Sequence, residues 1–317
     1  MIEIRGIKVH VEKGLKELER QIMRKLHCKE LPPYVILKRS IDARRNTDIY
    51  YIYQVGVTLP KEAHIVKKLN DNNIMLSTRV DYRIPDAGEQ AMEHHPLIIG
   101  AGPAGLFCAL LLAKRGFTPI VVERGLPVEE RLTQVEAFWK GAALNPECNV
   151  QFGEGGAGTF SDGKLNTQVK DKYGRIRYVL EEFVKHGAPQ SILYDNKPHI
   201  GTDLLIQVVR GIRQEIEELG GLFLFDTKAV DIRVEEGQIT AVELLHNGTK
   251  TWVASNHVVL AIGHSARDTV AMLHERVVTM RPKDFAIGVR VEHPAQWIQQ
   301  AMYGEGIAAD SLPAAPY

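Results

Sequence analysis

Gly100-Ala-Gly102-Pro-Ala-Gly105 spells G-x-G-x-x-G, a spacing that can hold the pyrophosphate of a dinucleotide. Alone the motif is weak; its context strengthens it. Leu97–Ile99 enters it as a short buried strand, residues 102–115 leave it as a helix, and Thr118–Val122 reads as a second strand that delivers Glu123. This is a βαβ unit of the parallel-sheet kind, with an acidic residue at about the 20-residue offset that ribose recognition uses. Gly100 permits the tight turn. Gly102 and Ala104 leave the N–H groups of the helix N-terminus open to an anion, which the helix dipole favours there. Gly105 and Ala109 let the helix lie close to the sheet. Glu123 can accept hydrogen bonds from ribose hydroxyls, and its charge repels a 2′-phosphate. The glycines alone do not separate FAD from NAD.

The elements that must position these residues fall into an expected order. Residues 1–86 read as a small α+β domain. Its strands lie at 2–10, 34–42, 48–58 and 77–84, and its helices at 12–26 and 60–69, the β-α-β-β-α-β order of the ferredoxin-like motif. Residues 87–95 are a polar linker. Residues 96–265 form a Rossmann-like α/β domain for FAD or NAD(P), with helices at 173–186 and 202–219 and a strand at 222–225. Two tight turns, Glu236-Gly237 and Asn247-Gly248, then divide 229–255 into an antiparallel meander, and His257–Ile262 returns as a buried strand ending at Gly263.

Composition excludes several classes. Charged residues make up 25% and the formal net charge is zero, so the whole molecule has no general attraction for nucleic acid or acidic lipid. Three scattered cysteines with no C-x-x-C fit a reducing cytoplasm and argue against a disulfide framework or a redox pair. The uncharged stretch Pro96–Ala113 contains the glycine motif and reads as strand, turn and helix, not as a membrane span. No H-x-x-x-H, nucleophile elbow or cluster of metal ligands supports hydrolase or metal chemistry. One asymmetry remains: residues 1–86 carry a formal +6 and the remainder −6. Lys38, Arg39, Arg44 and Arg45 cluster near Tyr50, Tyr51 and Tyr53, which raises nucleic acid as an alternative partner, although a solvated loop over core tyrosines is the plainer reading.

IIGAGPAGLFCALLLAKRGFTPIVVERG, RLTQVEAFWKGAALNPECNVQFGEGGAGTFSDGKLNT, VVLAIGHSARDT and FAIGVRVEHP together resemble a bacterial family of uncharacterised NAD(FAD)-utilising dehydrogenases, also described as FAD-dependent oxidoreductases. The resemblance extends over most of the chain and implies bound FAD, with NAD(P)H as a possible electron donor and an unnamed substrate. It implies adenosine at Gly100, Gly102, Gly105 and Glu123. It also implies that residues 266–317 open a substrate domain that continues in longer members, so the chain is expected to retain FAD weakly. A truncated, non-catalytic flavoprotein is therefore an alternative.

In such folds the segment after the second strand returns toward the cofactor. Phe152–Leu165, FGEGGAGTFSDGKL, is that segment. So much glycine is costly unless the backbone needs unusual angles or something must come very close. Gly153, Gly155, Gly156 and Gly158 can offer bare backbone to a flat ring or diphosphate. Lys164 can place positive charge near the pole of the ring that becomes anionic on reduction, and Asp162 can orient Lys164 or bind a ribityl hydroxyl. Gly263 is the strand-end glycine that passes the cofactor. Arg124 and Arg131 reach adenosine or phosphates, or lie on a solvated surface. His264 reads as a solvated loop histidine before a proton donor, and no catalytic residue is assigned.

Overall fold

Period-two apolar residues build the first sheet. Ile2–His10 (β1), Tyr34–Asp42 (β2), Tyr50–Val57 (β3) and Ile74–Leu76 (β4) pair antiparallel in the order β2-β3-β1-β4. In β1, Ile2, Ile4, Ile7 and Val9 are all buried, and the register shift between Ile4 and Ile7 keeps them on one face. Gly14–Leu26 (α1) closes that face with Leu18, Ile22 and Leu26, and Glu62–Leu69 (α2) adds Ile65 and Val66. In this computed structural model, residues 1–317 are described except 46–47, 161–164, 166, 168, 290, 306–311, 314 and 316–317.

The last strand of this sheet lies at Ile74–Leu76 and not at 77–84. The reason is long-range. Arg79 leaves the sheet edge to reach the Leu37 carbonyl at 3.3 Å, and Tyr82 stacks edge-on against Tyr178 with ring centres 5.3 Å apart. The segment thus crosses from one half of the molecule to the other.

The second half is a parallel sheet with helices. Leu97–Ile99 (β5), Pro103–Ala113 (α3), Ile120–Val122 (β6), Val128–Trp139 (α4), Arg175–Lys185 (α5), Thr202–Glu218 (α6) and Leu222–Leu224 (β7) follow in order. A meander of Thr227–Glu235 (β8), Gln238–His246 (β9) and Thr249–Ala254 (β10) precedes Val258–Leu260 (β11), and the parallel order is β11-β5-β6-β7. Both meander turns place their two residues at positive φ, the conformation expected of Glu-Gly and Asn-Gly. One face of the parallel sheet packs on α3 and α6 through Ile98, Leu110, Val208 and Ile212; the other packs on the meander through Ile99, Val122 and Val242.

The helix α4 has no counterpart among the expected elements. Its buried stripe is Val128, Arg131 and Val135, and a charged residue in the middle of the stripe hides its apolar period. Past β11, Arg267–Glu275 (α7) packs on β8 and Ala295–Tyr303 (α8) buries Tyr303 beside Ile49 and Leu312. The described residues of 278–294 form neither strand nor helix, and Phe285, Ile287 and Val289 are exposed. Among the described residues, no helix is long and apolar enough to cross a membrane.

Ile22 is fully buried between α1 and the first sheet. Ile22→Ala is expected to cost about 2–4 kcal/mol, from lost transfer energy plus the cavity. Chemical-denaturation midpoints of parent and variant measure it.

Candidate dinucleotide site

The three motif glycines have different reasons to be glycine. A Cβ on Gly100, which sits at φ +103°, would come within 2.5 Å of the Ala261 carbonyl oxygen at the end of β11. A Cβ on Gly105 would collide with the Gly100 carbonyl. Folding itself therefore demands glycine at both. Gly102 differs. It caps α3 with φ −72°, ordinary for any residue, and a Cβ there would meet no heavy atom nearer than Gly156 Cα at 3.8 Å. In the first turn of α3, just after it, Ala104 is exposed.

Glu123 ends β6 and is buried. Its Oε2 accepts from Ala101 N at 2.8 Å, and its Oε1 accepts from Gly125 N and Gly153 N, both at 3.0 Å. An ionised carboxylate offers about four acceptor positions, so three are already used. The residue read from sequence as a ribose ligand is first a staple that joins both glycine-rich segments to the strand end.

Arg131 lies neither on a solvated surface nor in reach of open space; it is completely buried. Its Nε donates to Asn149 O at 3.1 Å, and its Nη1 donates to the carbonyls of Gly153, Glu154 and Gly156 at 3.2, 2.6 and 2.9 Å. Burial pushes the guanidinium down to about 10, against the opposing charges of Glu123 and Glu154. Nη2 has no hydrogen-bond partner among the described residues, and the Phe160 ring lies 4.8 Å from Cζ.

The loop so held lies on the first motif. Gly155 N donates to Ala101 O at 2.9 Å, and a Cβ on Gly156 would sit 3.2 Å from both Gly102 Cα and Pro103 Cδ. Gly155 is enclosed by Thr159 and by Val209 of α6, so the bare surface expected there faces protein. Gly158 is exposed at the outer edge of the loop. Asp162 and Lys164 lie outside the described residues.

Sequence reasoning passed over Glu154, which is buried inside the same loop. Its Oε2 accepts from Val128 N at 2.8 Å, at the start of α4, and its Oε1 accepts from Arg213 Nε at 2.9 Å. Burial pushes its carboxyl up to about 7, with Arg213 and the Val128 N–H pulling the other way.

Beside Gly100 and Glu123 is a cavity of about 40 Å³, bounded also by Phe152, Thr227–Ala229, Ile262 and Ala266. That volume holds about one or two waters. Arg124 and Lys228 line it. Arg124 donates to both carboxylate oxygens of Asp268 at 3.1 and 3.0 Å and to Thr269 Oγ1 at 2.9 Å, while its guanidinium lies 4.4 Å from the centre of the Phe152 ring. Lys228 bridges Glu147 at 2.9 Å and Asp268 at 2.5 Å. Burial alone would raise the Asp268 carboxyl; the hydrogen bonds from Arg124 and Lys228 outweigh it and hold it well below the usual carboxylate range. Asp268 stands in the quoted GHSARDT segment, and its residue type beside Arg124 was the available signal. Lys228 gave none locally, because it reaches the site only through the meander.

The remaining candidates are spread out. Gly263 sits at φ +67° with open space where a Cβ would be, just past the strand end that borders the cavity. His264 is exposed, with Nδ1 3.3 Å from Ser265 Oγ. Of the basic cluster, Arg44 is paired with Asp42 and Arg39 with Asp195. Elsewhere Glu182, His186 and Glu215 bring ligand-type atoms within 4.8 Å of one another, but Lys114 and Lys185 already pair with those carboxylates.

Residues 98–126 match the NAD(P)-binding Rossmann-like domain family, and residues 1–58 match a domain of unknown function, DUF8436. The chain is 43% identical over 318 residues to an uncharacterised protein of Clostridium beijerinckii; the match covers all of this chain and 58% of that protein. Among solved structures, it is similar to THI4 of Thermovibrio ammonificans, with TM-score 0.40 and 16% identity over 59% of this chain and 64% of that one. It is similar also to the flavin-dependent monooxygenase PieE, solved with FAD and substrate, with TM-score 0.35 and 17% identity over 59% of this chain and 33% of that one. Residues 98–126 thus form a Rossmann-like βαβ unit within an α/β fold.

The Glu154 shift sets a pH dependence. The native carboxyl titrates near 7 instead of the ordinary 4.5, so the folded state keeps its proton longer. The associated stability is complete below the ordinary value and is lost as pH rises through the shifted one, a fall on the order of 3 kcal/mol. Glu154→Gln is expected to flatten that fall. Urea midpoints of both proteins across the interval check it.

Proposed function

We propose that this chain binds FAD and forms the cofactor-binding part of an oxidoreductase that exchanges a hydride with a nicotinamide or an organic substrate. The observation that carries the proposal is Gly102. Neither backbone angle nor packing requires glycine there, so the remaining reason is a group that approaches the N-terminus of α3. The meander between β7 and β11 and the second glycine-rich loop laid over Gly102 favour FAD over a nicotinamide nucleotide.

Bound FAD supplies the hydride chemistry. The chain's own residues supply position and charge. The N–H groups of Ala104 and Gly105 face a diphosphate at the start of α3. Glu123 holds the turn and has acceptor capacity left for a ribose hydroxyl. Arg124, Phe152 and Lys228 border the adenosine position beside Thr227–Ala229. A dinucleotide needs several hundred Å³, and the cavity holds about 40 Å³, so binding requires the lining side chains of Arg124 and Lys228, now paired with Asp268 and Glu147, to move. Those groups are side-chain ends, and they can move without unfolding a strand. In this reading the N-terminal domain has the ferredoxin-like connectivity, and Arg39 and Arg44 of its basic cluster serve internal pairing.

Gly102→Ala puts a methyl group at the helix start, in ordinary contact with Gly156 Cα at 3.8 Å. The expected outcome is at least a tenfold loss of FAD affinity with an unchanged unfolding midpoint. Flavin absorbance of the purified parent and variant after incubation with FAD, with and without NADH or NADPH, measures it. A parent that binds no flavin, or a variant that binds it equally, refutes the proposal.

A further inference from the structure

We propose that the N-terminal domain is a brace for the glycine-rich loop, and that Arg39 is the positioning residue through which it acts. Arg39 lies on β2, the edge strand of the first sheet. Its backbone N donates to Tyr194 O at 2.6 Å, and its carbonyl accepts from Asn196 N at 2.9 Å, forming a parallel bridge with Asp195 of the Rossmann-like half. Its side chain repeats the connection. Nε and Nη2 donate to the two Asp195 carboxylate oxygens at 2.7 and 2.9 Å. The guanidinium is flanked by the rings of Tyr51 and Tyr194, with centres 5.0 and 5.2 Å away.

The strip of chain just past Asp195 gives the contact its purpose. Two residues on from Asn196, Pro198 is buried, and its carbonyl accepts from Leu165 N at 2.9 Å. Leu165 closes the glycine-rich segment that starts at Phe152. Ile200 then enters the core beneath α3 and α6. The near end of the loop is thus held from inside the Rossmann-like half, by Arg131 and Glu123, and its far end is tied to a strip that β2 holds in place.

A paired Arg in a forked, two-bond geometry is suited to this task, because it fixes orientation as well as distance. Other contacts also cross between the halves: Tyr82 on Tyr178 and Arg115 on the Ile84 carbonyl attach the end of the N-terminal domain to α5 and the end of α3, and Tyr303 packs beside Ile49. Of the contacts named here, that of Arg39 is the one made to the strip that carries Pro198. The part of the inference that concerns FAD rests on the proposed function; the part that concerns the loop does not.

The test is hydrogen exchange in the full chain, followed on the peptide that carries the Leu165 amide. Arg39→Ala is expected to speed exchange there at least tenfold, while peptides of β5 and α3 exchange at the parent rate. Both variants keep the backbone bridge, but Asp195→Asn also keeps the guanidinium between its two tyrosine rings and one oxygen to accept from it, so it is expected to give a smaller increase. With FAD added, Arg39→Ala is expected to bind it with a shifted flavin absorption band, a signature that simple loss of stability does not produce. Unchanged exchange at Leu165 in both variants overturns the brace. So does an increase matched throughout β5 and α3, which makes Arg39 a general stability residue. If the parent binds no FAD, the proposed function fails, and the exchange result still decides the brace.

Discussion

A guanidinium with no solvent exposure organises the candidate site. Removing a charge from water costs several kcal/mol unless partners replace the hydration. Arg131 replaces it with four backbone carbonyls, from Asn149, Gly153, Glu154 and Gly156. Carbonyls can converge on one cation only if the chain wraps around it, so satisfying Arg131 dictates the path of the loop. Glu123, the buried anion at the end of β6, takes the N–H of Gly153 in the same loop and those of Ala101 and Gly125 beside it. The two opposite charges are bridged through backbone instead of touching. The loop between them is held by donors on one side and acceptors on the other, and it is pressed onto Gly102 as a result.

This arrangement explains most of the glycine content without a ligand. Gly153 has the Arg131 side chain where its Cβ would be, Gly155 has Thr159, and Gly125 has the backbone of Gly153 at 2.6 Å. Those positions are small because protein lies against them. The bareness of the loop therefore reflects internal packing, and the case for a visiting phosphate narrows to Gly102 and the exposed first turn of α3. A glycine that folding does not require says more about function than several that it does.

The sequence was most legible where structure is local. Strands β1, β2 and β3 follow their alternation, the meander follows its two turns, and the βαβ unit follows the glycine spacing. Legibility failed where a residue's role is set by a distant partner. The helix α4 was hidden because Arg131 occupies a core position in its stripe. The fourth strand was placed too late because Arg79 and Tyr82 answer to Leu37 and Tyr178, contacts that no local pattern encodes. Glu123 and Arg131 carry the residue types of ligand groups, and nothing local shows that backbone groups more than a dozen residues away consume their hydrogen-bonding capacity.

The uneven charge of the chain takes on a different meaning in the folded state. The basic excess of residues 1–86 invites a nucleic-acid partner, yet several of its members are drawn into pairs. Arg44 and Lys8 face Asp42, Lys25 faces Asp71, and Arg39 reaches across to Asp195. The first three are surface pairs and contribute little each. The fourth is bidentate, flanked by two tyrosine rings, and doubled by a backbone bridge, so its geometry is fixed where the others are loose. An excess of one sign on one domain and of the other sign on its neighbour is what a complementary contact between them requires. Here one residue pair is fixed in geometry, three residues before Pro198, whose carbonyl accepts from Leu165 at the end of the glycine-rich segment.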